Sequence, residues 1–136
     1  LPNVCELFSK EAAVRSVLII DDNSDIRALL KLALEAEDYT VYQAENGSIA
    51  QKQLREGLRP HVILLDLLMP VMDGREFLRW KSQNAEFDEL PVLVISALHA
   101  GENLQGAKGY LKKPLDLSEM FNVVGELCKA EPCEGR

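Results

Sequence analysis

Five short apolar runs rich in β-branched residues, at 17–20, 40–44, 62–66, 92–96 and 109–111, alternate along the chain with segments of helical spacing. The helical segments are 26–37, 48–56, 75–83 and 117–129, and a weakly patterned stretch follows the fourth run. Parallel strands need a crossover between them, so strict alternation predicts a parallel sheet with helices on both faces. Ile26, Leu29, Leu30 and Leu34, and later Phe121, Val124 and Leu127, recur at spacings of three and four, which lays an apolar stripe against such a sheet. The boundaries carry their own signals. Asp22, Asn23 and Ser24 offer N-cap side chains, Asp73 with Glu76 and Asp116 with Glu119 form capping boxes, and Pro91 opens a strand where its missing N–H is tolerated. The expected class is α/β, a doubly wound five-stranded parallel sheet.

A chain of 136 residues has room for one domain with a self-sufficient core. The expected division is an N-terminal extension or linker at 1–15 with a short helical pattern at 6–14, a domain at 16–130 and a tail at 131–136. A formal net charge of −7 disfavours nucleic acid and anionic membranes as partners of this domain and favours proteins or cations. Cys5, Cys128 and Cys133 are odd in number and lack metal-ligand spacing, so reduced thiols in a cytoplasmic protein are expected. No apolar run reaches the roughly 18 residues of a membrane span, and no signal peptide is evident at the N-terminus. The chain begins at Leu1 rather than Met, which favours a segment of something longer.

The acidic residues at the strand ends carry the chemistry. Asp66 closes the run 62–66, and Asp21 and Asp22 follow the run 17–20. Taken singly, an aspartate after a strand often only caps the next helix. Two strand ends of an open α/β sheet meet in one crevice, however, and carboxylates gathered there repel unless a cation or a reaction needs them. Magnesium fits, since it prefers hard oxygen ligands and keeps coordination positions for water or phosphate. Lys113, before Pro114, stands just past the fifth run, where an ammonium can neutralise a phosphoryl oxygen; by strand alternation Lys112 points the other way. Ser96 ends the fourth run and offers either a turn hydroxyl or a donor to the same oxygen, with small Ala97 beside it.

Asp21 and Asp22, Asp66 with Met69, Pro70, Met72, Asp73 and Gly74, then Ser96 and Ala97, then Tyr110 with Lys113 and Pro114, make the sequence resemble a receiver domain of a two-component response regulator from about Ser16 to Lys129. The resemblance implies a flavodoxin-like, chemotaxis-regulator-like fold. It implies that Asp66 accepts a phosphoryl group from a phosphohistidine on a histidine kinase or a histidine phosphotransfer protein, and that the domain catalyses its own phosphorylation and dephosphorylation. Asp22, Asp66 and the backbone carbonyl of Leu68 are then direct Mg²⁺ ligands, with Asp21 acting through a water. Lys113 and Ser96 hold the phosphoryl oxygens, Lys113–Pro114 is cis, and Ser96 and Tyr110 switch together to alter binding of a downstream protein target.

The chain departs from that pattern between Ser96 and Tyr110, where it is shorter by about five residues and holds two glycines without apolar periodicity. A shortened fourth helix is therefore expected, with His99 facing solvent. Leu68 and Leu98 are apolar where the family often has polar residues, which predicts a longer-lived phosphoryl group. Trp80 is expected to pack one turn beyond Phe77. Two rivals remain open from residues alone: a Mg²⁺-dependent phosphohydrolase with an aspartate nucleophile, against which Leu67 and Leu68 replace the usual second aspartate, and an interaction module that takes no phosphate.

Overall fold

A computed structural model describes residues 15–67, 73–96 and 106–129. All five strands are present: β1 (Ser16–Ile20), β2 (Thr40–Ala44), β3 (Val62–Asp66), β4 (Val92–Ser96) and β5 (Gly109–Lys112). They form one wholly parallel sheet in the order β2-β1-β3-β4-β5. The helices are α1 (Ser24–Ala36), α2 (Gly47–Arg55), α3 (Gly74–Ser82), α4 (Ala85–Asp88) and α5 (Leu117–Lys129). The chain first winds outward to β2 and then returns past β1 to β3, so the winding direction reverses between β1 and β3. In open α/β sheets the crevice at such a reversal, beyond the strand C-termini, is where ligands bind.

Period-two alternation sorts the strand residues into two cores. Leu18, Ile20, Ile63, Leu65, Val92 and Val94 face one way, against Ala50 and Leu54 of α2, Phe77 and Leu78 of α3 and Phe87 of α4. Val17, Ile19, Val62, Leu64, Leu93 and Ile95 face the other way, against Leu30 and Leu34 of α1 and Met120 and Val124 of α5. β1, β3 and β4 are buried along their whole length, as central strands covered on both faces must be.

The capping side chains bond as their sequence positions require. The Asn23 carbonyl accepts from the Asp25 and Ile26 amides, the Asp73 carboxylate from the Arg75 amide, and Asp116 from the Ser118 and Glu119 amides. α2 stops at Gly57, whose φ of +115° suits glycine and lets Leu58 N–H reach back to the Gln53 carbonyl.

One element lies outside the sequence expectation. α4 is a single turn between α3 and β4, anchored by buried Phe87, by Lys81 Nζ donating to the Asp88 carbonyl at 2.9 Å and by Asn84 Nδ2 donating to the Trp80 carbonyl at 2.7 Å. Burial pulls the Lys81 ammonium below its ordinary pKa, while nearby Asp88 partly restores it. Trp80 stacks on Phe87 with ring centroids 5.1 Å apart, so it packs as expected. The helical pattern at 6–14, Cys5, Cys133, Leu68, and the segment with Leu98 and His99 where a shortened helix is expected all lie outside the described residues.

Candidate functional site

Three strand ends and one loop build the site. Asp21 directly follows β1, and its amide donates to the Ala44 carbonyl of β2, extending the ladder by one bond. Its Oδ1 accepts from the Asn23 amide at 2.9 Å, and its own carbonyl accepts from Arg27 Nη1 at 2.6 Å. The β1–α1 turn is thus held from both sides, which fixes Asp21 inward, 4% exposed, and leaves Asp22 outward. Asp66 is the last residue of β3, in register with Ile95 of β4, and is buried.

The approach of α3 to this strand end depends on Gly74. Its amide donates to the Leu67 carbonyl at 2.8 Å, and a Cβ there would lie 2.8 Å from both the Asp66 carbonyl oxygen and Leu67 Cα. Any larger residue must push α3 away from the strand end that carries Asp66.

Ser96 ends β4 fully buried, and its carbonyl accepts from the Lys113 amide at 2.9 Å. The Lys113–Pro114 peptide is cis, and the Lys113 side chain lies over the crevice. Its Nζ stands 3.6 Å from Asp66 Oδ1 and 3.9 Å from Asp21 Oδ2. Lys112, its neighbour, is exposed on the other side of the strand. Tyr110 on β5 is half-buried against the core that includes α2 and α3.

One carboxylate oxygen from each of Asp21, Asp22 and Asp66 lies within 4.8 Å of the others. Three hard anionic donors at this separation, faced by one ammonium, match what a small divalent cation with retained waters requires. Burial raises the Asp21 carboxyl above its ordinary value of 3.8; the Asn23 amide and the Lys113 charge pull it back, and Asp22 adds to the rise. Burial of the Asp21 carboxylate therefore costs the fold stability, a cost that the charge of a bound cation would offset.

That cost has a measurable sign. Below pH 3.8 Asp21 is protonated whether the chain is folded or not, so it costs nothing there. As pH climbs through the raised folded value the fold must hold a buried charge that the unfolded chain holds in water, and stability is lost. Asp21→Asn, which keeps the acceptor for the Asn23 amide, is expected to stabilise the chain at pH 7 in magnesium-free buffer by about 1 kcal/mol, a few degrees in Tm. The advantage should shrink as pH falls towards 4 and on adding Mg²⁺; thermal melts across pH check it.

The structure thus brings together five of the residues singled out from sequence: Asp21, Asp22, Asp66, Ser96 and Lys113. Leu68 lies outside the described residues, and Tyr110 stands on the neighbouring strand rather than among the carboxylates. Sequence reasoning assigned no site role to Arg27, whose bond to the Asp21 carbonyl spans six residues. An arginine at the end of the first turn of an amphipathic helix reads as surface.

Residues 17–125 match the response regulator receiver domain family. Transcriptional regulatory protein YdfI of Bacillus subtilis is 36% identical over 118 residues, covering 82% of this chain and 54% of that protein. The chain spans about half the length of such curated relatives. The signal receiver domain of a signal transduction histidine kinase from Syntrophus aciditrophicus superposes with a TM-score of 0.79 at 27% identity, over 86% of this chain and 92% of that one. Response regulator protein TrrA from Thermotoga maritima, solved in complex with Mg²⁺-BeF, superposes with a TM-score of 0.74 at 28% identity, over 83% of this chain and 98% of that one.

Proposed function

The chain belongs to the response regulator receiver domain family of two-component systems, and on that premise we propose that Asp66 is its phosphoacceptor, charged by a phosphohistidine donor in a Mg²⁺-dependent reaction. The observation that carries the reading is the convergence of Lys113 Nζ, 3.6 Å from Asp66, with three carboxylates within 4.8 Å of one another.

Phosphoryl transfer asks little covalent chemistry of a protein; positioning and charge neutralisation supply most of the rate. A carboxylate oxygen of Asp66 forms the new P–O bond as the bond from phosphorus to the donor imidazole nitrogen breaks. The imidazole leaves with its electron pair and takes up a proton. Lys113 sets a positive charge beside the oxygen that attacks, and the Ser96 hydroxyl donates to a phosphoryl oxygen once the group has arrived. Asp22, Asp66 and the Leu68 carbonyl would hold Mg²⁺ directly and Asp21 through a water. When bound, the ion neutralises and orients phosphoryl oxygens. On this reading the domain catalyses both its own phosphorylation and its dephosphorylation.

The acyl phosphate on Asp66 favours whichever arrangement of Ser96 and Tyr110 bonds to it better, and a downstream protein target senses the shift. The partners are a histidine kinase or a histidine phosphotransfer protein on the input side. No helix among the described residues is long and apolar enough to cross a membrane. A cytoplasmic setting belongs to the same reading, and the buried thiol of Cys128 is in keeping with it.

Incubation with acetyl phosphate and Mg²⁺, followed by intact-mass measurement, tests this. One phosphoryl adduct per chain is expected with Mg²⁺ and none after chelation by EDTA. A chain that unfolds cooperatively yet gains no adduct would overturn the proposal in favour of a phosphate-independent interaction module.

A further inference from the structure

A cleft of about 240 Å³ opens beside the carboxylates, and Asp21, Asp66 and Lys113 are its polar residues. The rest of its lining is hydrocarbon. Ile26, Leu29 and Leu30 of α1 form one wall, Leu64 and Ile95 of the sheet form the floor, and Pro114 and Leu115 after β5 close the far side. Leu29 is 56% exposed, so the cleft leaves apolar surface in water immediately next to the phosphoryl site. An apolar cavity of roughly 150 Å³ suffices for benzene, so this one has room for a short hydrocarbon chain.

We propose that this cleft receives the hydrocarbon part of a small acyl phosphate, so that acyl phosphates with longer apolar chains are better phosphoryl donors to this protein than acetyl phosphate. The inference rests on Asp66 being the phosphoacceptor. Continuity supports the occupant: Asp66 and Lys113 belong to both the site and the cleft, so one small molecule can set its phosphoryl group against them and its hydrocarbon against Leu29 and Leu115. Charge supports it too, because Asp21 and Asp66 repel an anionic tail while the apolar walls give a neutral one cover from water. In the reaction an Asp66 oxygen bonds to phosphorus, the bond between phosphorus and the acyl oxygen breaks, and the carboxylate departs with the electron pair; no redox partner is needed.

Acetyl, propionyl and butyryl phosphates release carboxylates of nearly equal basicity, so their intrinsic reactivity is matched and chain length is the variable. Each methylene buried in the cleft is expected to raise kcat/KM about fourfold, the equivalent of ~0.8 kcal/mol per CH₂. Butyryl phosphate, with two more methylenes, should therefore exceed acetyl phosphate by about fifteenfold, through KM. In Leu29→Ser, and independently in Leu115→Ser, the butyryl-to-acetyl ratio should fall towards one. A flat series in wild type, with acetyl phosphate accepted, overturns the cleft assignment and leaves Asp66 as acceptor. A rising series that neither serine variant flattens overturns it as well. No adduct from any donor in folded protein removes the phosphoacceptor reading beneath it, and the cleft assignment with it.

Discussion

Asp66→Asn is expected to take up no phosphoryl group from acetyl phosphate under conditions that modify the wild-type chain stoichiometrically. The substitution preserves the size and shape of the side chain at the end of β3, so it tests the nucleophile and not the packing around it. An amide oxygen is neutral and cannot form the acyl phosphate that an ionised carboxylate forms. It also removes one of three carboxylates that lie within 4.8 Å of one another. In magnesium-free buffer the variant should consequently melt no lower than wild type, since less like charge is gathered in the crevice. Intact mass and a thermal melt on the same sample separate the outcomes. Loss of the adduct with stability kept identifies Asp66 as the acceptor, loss of both points to misfolding, and an adduct that persists would move the acceptor to Asp21 or Asp22, which peptide mapping would locate.

The sheet and its site were legible because both follow from patterns of short period. Runs such as 62–66 read as strands from composition alone, and in the structure period-two alternation sends Ile63 and Leu65 to one core and Val62 and Leu64 to the other. The candidate site residues stand at the ends of such runs, so placing the strands placed the carboxylates and Lys113. Features that rest on contacts between distant residues were not legible in this way. α4 has four residues, too few to show a helical period, and is held by Phe87 and by a lysine that looks like any surface charge until Lys81 Nζ is seen donating to the Asp88 carbonyl. Gly74 belongs to the motif that follows Asp66, and nothing in that motif says why a glycine is needed there. The reason is steric, since only the structure shows how closely α3 approaches the Asp66 carbonyl. Arg27 likewise has no sequence mark that separates it from other helix-surface arginines; its role follows from the turn that brings the Asp21 carbonyl within its reach.

Lys113→Ala is expected to slow phosphorylation by acetyl phosphate about a hundredfold to a thousandfold, the usual loss when one preorganised donor to a developing anionic centre is removed. Its Nζ lies 3.6 Å from Asp66 Oδ1 and 3.9 Å from Asp21 Oδ2, near enough to act on both. Slower chemistry alone would not separate lost charge stabilisation from a collapsed site, but cation binding does. The ammonium shares the two carboxylates with any Mg²⁺ that binds there, and like charges compete. Removing it should tighten Mg²⁺ binding by a few fold, a modest gain because Lys113 is partly open to screening by solvent. It should also raise the Asp21 carboxyl further, since Lys113 now pulls it down. Titration calorimetry with Mg²⁺ beside adduct kinetics reads both effects. A slower reaction with tighter Mg²⁺ binding assigns Lys113 to the phosphoryl oxygens, whereas a slower reaction with weaker binding would mean that Lys113 holds the carboxylates in place and acts on the phosphoryl group only through them.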